Sequence, residues 1–152
     1  MLKQQLKDEL KESMLSRDTE KTSVLRMLLS AIGYFEIQKG GAGYEATDGD
    51  VLTVIQREVK QHKDSIEQFK RGNREDLVAK ETKELAILQK YLPAQMPEEE
   101  IRRLVTEAIA QTGAAASSDM GKVMGILMPK VKGKADGGLV SQIVKEELVK
   151  KQ

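Results

Sequence analysis

Leu92-Pro93-Ala94-Gln95-Met96-Pro97 interrupts a sequence that otherwise reads as helix from end to end. Two prolines within five residues cannot continue a helix, and each pushes its predecessor toward extended geometry. The break predicts two domains, residues 1–92 and 93–152. Downstream of it, Pro97 opens a fifth helix in its first turn, with Glu98, Glu99 and Glu100 complementing the helix dipole. That helix offers Ile101, Leu104, Val105, Ala108 and Ile109 to a core and ends at Gly113. Ser118 or Asp119 starts a sixth helix carrying Val123, Met124 and Leu127, with a stop near Pro129 and Gly133. Asp136 caps a seventh helix, which buries Leu139, Val140, Ile143, Val144 and Leu148.

Upstream, apolar residues again recur at helical spacing, and no alternating strand pattern stands out. Leu2, Leu6, Leu10 and Met14 form one stripe. Asp18 or Thr19 caps a second helix bearing Val24, Leu25, Leu28, Leu29, Ile32 and Phe35, which runs out at Lys39-Gly40-Gly41. The stretch from there to Asp50 reads as a mobile, Gly-rich loop. Thr47 and Asp50 stand in capping-box spacing ahead of a third helix with Val51, Ile55, Val59, His62, Ile66 and Phe69 on one stripe. Gly72 and Asn73 break it, and Asn73 caps a fourth helix carrying Leu77, Leu85, Leu88 and Leu92. The fold class expected is therefore all-α, an N-terminal four-helix domain followed by a C-terminal three-helix domain.

Composition removes most catalytic chemistry. The 152 residues hold no Cys, one His and 3% aromatics, with 25 basic against 24 acidic side chains. Thiol nucleophiles, disulfides, zinc–thiolate sites and multi-histidine metal sites are excluded, so no metal and no cofactor are expected. Gly133-Lys134 lacks the Ser or Thr of a phosphate loop, and Gly121-Lys122 fails the same test. Asp48-Gly49-Asp50 starts like a calcium loop, but Leu52 replaces its next oxygen ligand. His62 sits on an apolar stripe and reads as packing at the bundle edge, since Asp64 points elsewhere and no third group completes an acid–base set. Glu67 with Arg71, Glu98 with Arg102, and Glu99 with Arg103 read as solvated helix faces. No membrane-spanning run is present, and Lys3, Lys7, Asp8 and Glu9 in the first ten residues argue against a leader, so a cytoplasmic protein is expected.

Charge is uneven along the chain. Residues 1–92 carry 16 basic and 16 acidic side chains, whereas the last 34 residues, from Asp119, carry 7 against 4. Lys122, Lys130, Lys132 and Lys134 bracket the turn between the last two helices, where flexible ammonium groups suit phosphate. Weaker basic sets, Lys3 with Lys7 and Lys11 and a second from Arg57 to Arg74, read as solvated faces. Gly121 and Gly125 lie inside the sixth helix at a cost of roughly 1 kcal/mol each relative to alanine. They predict a close backbone approach by another helix of the same domain, or by a nucleic acid. Met120, Met124 and Met128 read as core filling. With so few aromatics, base stacking is not expected, and a nucleic acid would be held by backbone and shape.

The runs Leu25-Arg26-Met27-Leu28-Leu29-Ser30-Ala31-Ile32, Ile55 to Gly72, Arg74-Glu75-Asp76-Leu77 and Tyr91-Leu92-Pro93 together resemble the YqeY family of small helical proteins. Met120-Gly121-Lys122-Val123-Met124 and Gly133-Lys134-Ala135-Asp136 add to that resemblance. These last two runs are also similar to the tail domain of the B subunit of the tRNA-dependent amidotransferase. The resemblance implies an all-α, two-domain fold and a link to tRNA. Nothing matches the amidotransferase's catalytic cradle or a glutaminase serine motif. The leading expectation is a non-catalytic, tRNA-associated module acting through Lys122, Lys130, Lys132 and Lys134. The alternatives are a protein-interaction adaptor using the N-terminal bundle and, last, an accessory carbon–nitrogen ligase activity.

Overall fold

The computed structural model describes residues 1–150, so the close of the expected second domain, at Lys151 and Gln152, lies outside the described residues. These contain seven α-helices and one short 3-10 turn, with no strand among them. The chain divides into two compact units, one ending at Leu92 and one beginning at Pro93.

In the first unit, helices α1 (Leu2–Leu15), α2 (Thr19–Gly40), α3 (Asp48–Arg71) and α4 (Glu75–Gln89) surround one core. Leu6, Leu25, Leu28, Ile32, Val51, Ile55 and Leu88 are almost completely buried there. The most extensive packing is between α3 and α4, and next between α1 and α2. Asp18 starts α2 by accepting the Lys21 N–H at 3.1 Å. Thr47 and Asp50 form the capping box in both directions, with Thr47 Oγ1 accepting the Asp50 N–H at 3.2 Å and the Asp50 carboxylate accepting the Thr47 N–H at 3.0 Å.

The α2–α3 connection is pinned, against the expectation of a mobile loop. The buried Asp50 carboxylate accepts Lys39 Nζ at 2.6 Å and the Tyr44 hydroxyl at 2.7 Å. Glu36 accepts the Ala46 N–H at 2.7 Å and Lys3 Nζ at 2.5 Å. The glycines supply bends, at φ +72° for Gly41 and +96° for Gly43, while Asp50 and Glu36 hold the turns between. Asn73 does not cap α4 either. It stands in the left-handed region at φ +55°, and Arg74 takes the N-cap position without a side-chain cap. Asn tolerates that conformation better than other non-glycine residues, so here it ends α3.

In the second unit, α5 (Glu98–Thr112), α6 (Met120–Val131) and α7 (Gly137–Lys150) bury Ile101, Val105, Ile109, Val123, Leu127, Val140, Ile143 and Leu148. Gly113 closes α5 in the left-handed conformation, φ +69°. Arg102 ties α5 to α7, reaching Glu98 at 2.8 Å, Glu146 at 2.9 Å and Glu147 at 3.3 Å. Arg103 pairs with Glu100 at 3.7 Å. Pro129 lies inside α6, which continues to Val131. Proline has no N–H to give the Gly125 carbonyl, and the helix ends at Val131, between Pro129 and Gly133 where the stop is expected. Met120, Met124 and Met128 are half-buried and pack on the core, as core filling requires.

Candidate functional site

The four lysines singled out by charge lie on α6 and the turn after it. Lys122 is in the first turn of α6, Lys130 in its last, and Lys132 and Lys134 in the turn before α7; all are exposed. Helical geometry puts Lys122 and Lys130 about 12 Å apart along the axis and about 80° apart around it. Lys122 has one long contact, 4.0 Å to Asp119. Asp119 is engaged by the Ala115 and Ala116 N–H groups, which hold its carboxyl below the usual carboxylate range. Lys130, Lys132 and Lys134 make no ion pair among the described residues, so their charge is not already neutralised.

The turn carrying them is well held. Buried Gly133 adopts φ +79°, and the Lys134 and Ala135 N–H groups both donate to the Val131 carbonyl, at 2.9 and 3.0 Å. From the segment ahead of α5, the Met96 N–H donates to the Lys134 carbonyl at 2.8 Å, and Gln95 Nε2 to the Gly133 carbonyl at 3.3 Å. Asp136 follows at the N-cap of α7, its carbonyl accepting the Val140 N–H.

The expectation that a neighbouring helix approaches Gly121 and Gly125 fails. Both glycines are exposed, and a β-carbon added at either would meet nothing within 4 Å. Their stripe, with Pro129 one further turn along, leaves backbone open to solvent between Lys122 and Lys130.

Sequence reasoning missed a second constellation, in the first unit. His62 is buried, 9% exposed, and both ring nitrogens are engaged. Nδ1 lies 2.8 Å from the Glu58 carbonyl, which can only accept, so Nδ1 carries a proton. Nε2 faces α4, 3.1 Å from Glu84 Oε2 and 3.6 Å from Glu81 Oε2. The two glutamates stand three apart on one face of α4 and are themselves largely buried. The missing signal was the helical hairpin. His62 lies ten residues before Gly72, and Glu81 and Glu84 lie nine and twelve after it, so antiparallel pairing brings them level. Asp64, the neighbour weighed from sequence, has no part in this cluster.

A family model described as "Yqey-like protein" matches residues 3–148. The chain belongs to the YqeY family. Among its relatives is "Altered inheritance of mitochondria protein 41, mitochondrial" of Saccharomyces cerevisiae S288c. The two are 38% identical over 87 residues, which is 57% of this chain and 46% of the relative. The protein of the same name in Vanderwaltozyma polyspora is 35% identical over 97 residues, 62% of this chain and 51% of the relative. That of Pyrenophora tritici-repentis is 38% identical over 104 residues, 66% and 56%. The chain thus spans about half the length of the curated relatives it matches. Their names overturn the expectation of a cytoplasmic protein, since each is called mitochondrial. That expectation drew a compartment from the charges of a helical body, whereas an address resides in a separate targeting segment. No helix among the described residues is long and apolar enough to cross a membrane.

Proposed function

We propose that this YqeY-family protein is a non-catalytic, tRNA-associated module of two domains, four helices and then three, set in the amidotransferase pathway. The second domain makes the contact. Lys122, Lys130, Lys132 and Lys134 grip phosphates while the open glycine face of α6 lets the RNA backbone come close. The observation that supports this reading is the exposure of all four lysines beside that uncovered face. Association of this kind reads charge and shape, as the scarcity of aromatic stacking groups requires.

Titration with tRNA at several salt concentrations tests the reading. Each phosphate neutralised on duplex RNA contributes a slope near −0.9 in log affinity against log salt by analogy with B-form DNA. Two to four contacts therefore predict a slope of about −2 to −4, shallower by about one for each lysine replaced by glutamine. Absence of binding at low salt, or a slope indifferent to the four substitutions, would remove the reading.

A second reading, a protein-interaction adaptor, is favoured by one feature of the first unit. A cleft of about 590 Å³ runs beside Met14, Arg17, Arg26 and Met27. Met14 and Met27 are half exposed there, and Leu15 next to them is 86% exposed. Retention of a protein partner by residues 1–92 alone would select this reading over the first.

A further inference from the structure

We propose that His62, Glu81 and Glu84 form a binding site for a divalent transition cation, Zn²⁺, that fastens α3 to α4. With the Nδ1 proton committed to the Glu58 carbonyl, Nε2 is the ring atom left to face two carboxylates. A proton or a cation must lie between Nε2 and Glu84 at that distance. A second ring proton would leave an imidazolium facing two carboxylates, a net charge of −1 in a largely buried place. A dication with a neutral imidazole and two carboxylates sums to zero, which burial favours.

The geometry fits. Tetrahedral zinc with bonds of 2.0–2.1 Å sets its donors about 3.3–3.5 Å apart. Nε2 lies 3.1 and 3.6 Å from the two carboxylate oxygens, and all three donor atoms fall within 4.8 Å of one another. The Nδ1–H bond to a backbone carbonyl is the outer-shell contact that orients a metal-binding histidine and leaves Nε2 free to ligate. An imidazole donor disfavours Mg²⁺ and Ca²⁺, which prefer oxygen throughout. Three ligands leave a fourth position. Beside His62 and Glu84 is a cavity of about 10 Å³, walled on its apolar side by Val24, Met27, Leu28 and Leu88. That is room for about one water molecule and no substrate. The role assigned is accordingly structural. A surface cleft of about 320 Å³, lined by Thr19, Glu20, Ser23, Lys80 and Glu84, shares Glu84 with the site.

The site is tested on the full chain, stripped with a chelator and titrated with Zn²⁺ by calorimetry and with Co²⁺ by visible absorption. One Zn²⁺ per chain is expected, and the Co²⁺ form should show the intense d–d bands of four-coordinate cobalt. His62→Asn and Glu81→Gln should each weaken Zn²⁺ binding by at least about 100-fold, the upper end of what losing an outer-shell partner costs. Glu20→Gln, in the cleft but outside the donor set, should leave affinity within about threefold. Glu81 is the most exposed of the three ligands, so Glu81→Gln keeps the test decisive if the buried His62 variant fails to fold. No Zn²⁺ heat and no cobalt bands would overturn the proposal. So would binding that survives both ligand substitutions unchanged, which would place the ion on surface carboxylates.

Discussion

A single carboxylate, Asp50, organises the start of the longest helix. It closes the capping box, receives Lys39 and Tyr44, and is buried while doing so. The Lys39 ammonium, followed by the Tyr44 hydroxyl, holds its carboxyl far below the usual carboxylate range. Glu36 is lowered in the same sense by Lys3 and the Ala46 N–H. At Glu9, burial pushes upward, but hydrogen bonds from Tyr91, Gln5 and Lys21 outweigh it. A carboxyl whose folded pKa is depressed stabilises the fold above its unfolded pKa, near 4, and loses that contribution as pH falls through the folded value. Acid should therefore erode stability progressively below about pH 4. Asp50→Asn should lower stability at pH 7 by about 2 kcal/mol, through weakened bonds to a charged acceptor, and flatten the acid limb. Urea unfolding at pH 7 and pH 3 measures both. Part of this was legible in the sequence, because Thr47 and Asp50 show the box spacing. The Lys39 and Tyr44 contacts were not, since they depend on how two glycines bend the chain back. His62 taught the same lesson. Its neighbours in sequence gave no partner, and its partners came from the next helix.

At the scale of elements, apolar spacing located all seven helices of the described residues, because a 3.6-residue period survives any arrangement of the packed faces. Ends were harder, since caps depend on local backbone conformation. Asn73 has a capping side chain but stands in a left-handed turn, and α6 runs two residues past Pro129 before it ends. The glycines of the second unit divide by conformation, and two substitutions should separate them. Gly113 needs φ +69°, so Gly113→Ala should cost about 1 kcal/mol or more. Gly125 is helical with open space around it, so Gly125→Ala should stabilise by up to about 1 kcal/mol. Thermal unfolding of the two variants measures the opposite signs. If RNA packs on the glycine face, Gly125→Ala should also weaken tRNA binding while raising Tm.

For the whole molecule, the proline-rich interruption after Leu92 was the most informative sequence signal, and the compact units part at that point. Separate unfolding of the two units is a calorimetric prediction of the two-domain reading. Zn²⁺ at 100-fold over its Kd should add about 2.7 kcal/mol to whichever unit binds it. Only the transition of residues 1–92 should move, and an excess of tRNA should shift only the other. A single transition that responds to both ligands would show instead that the units unfold together. The basic turn also contains its own reporter. Met96 lies outside any helix, yet its amide is bonded across to the Lys134 carbonyl. Hydrogen–deuterium exchange at that one amide therefore clocks how often the lysine turn opens. An RNA that clamps the turn should lengthen its exchange time, a signal readable without labelling the protein or the nucleic acid.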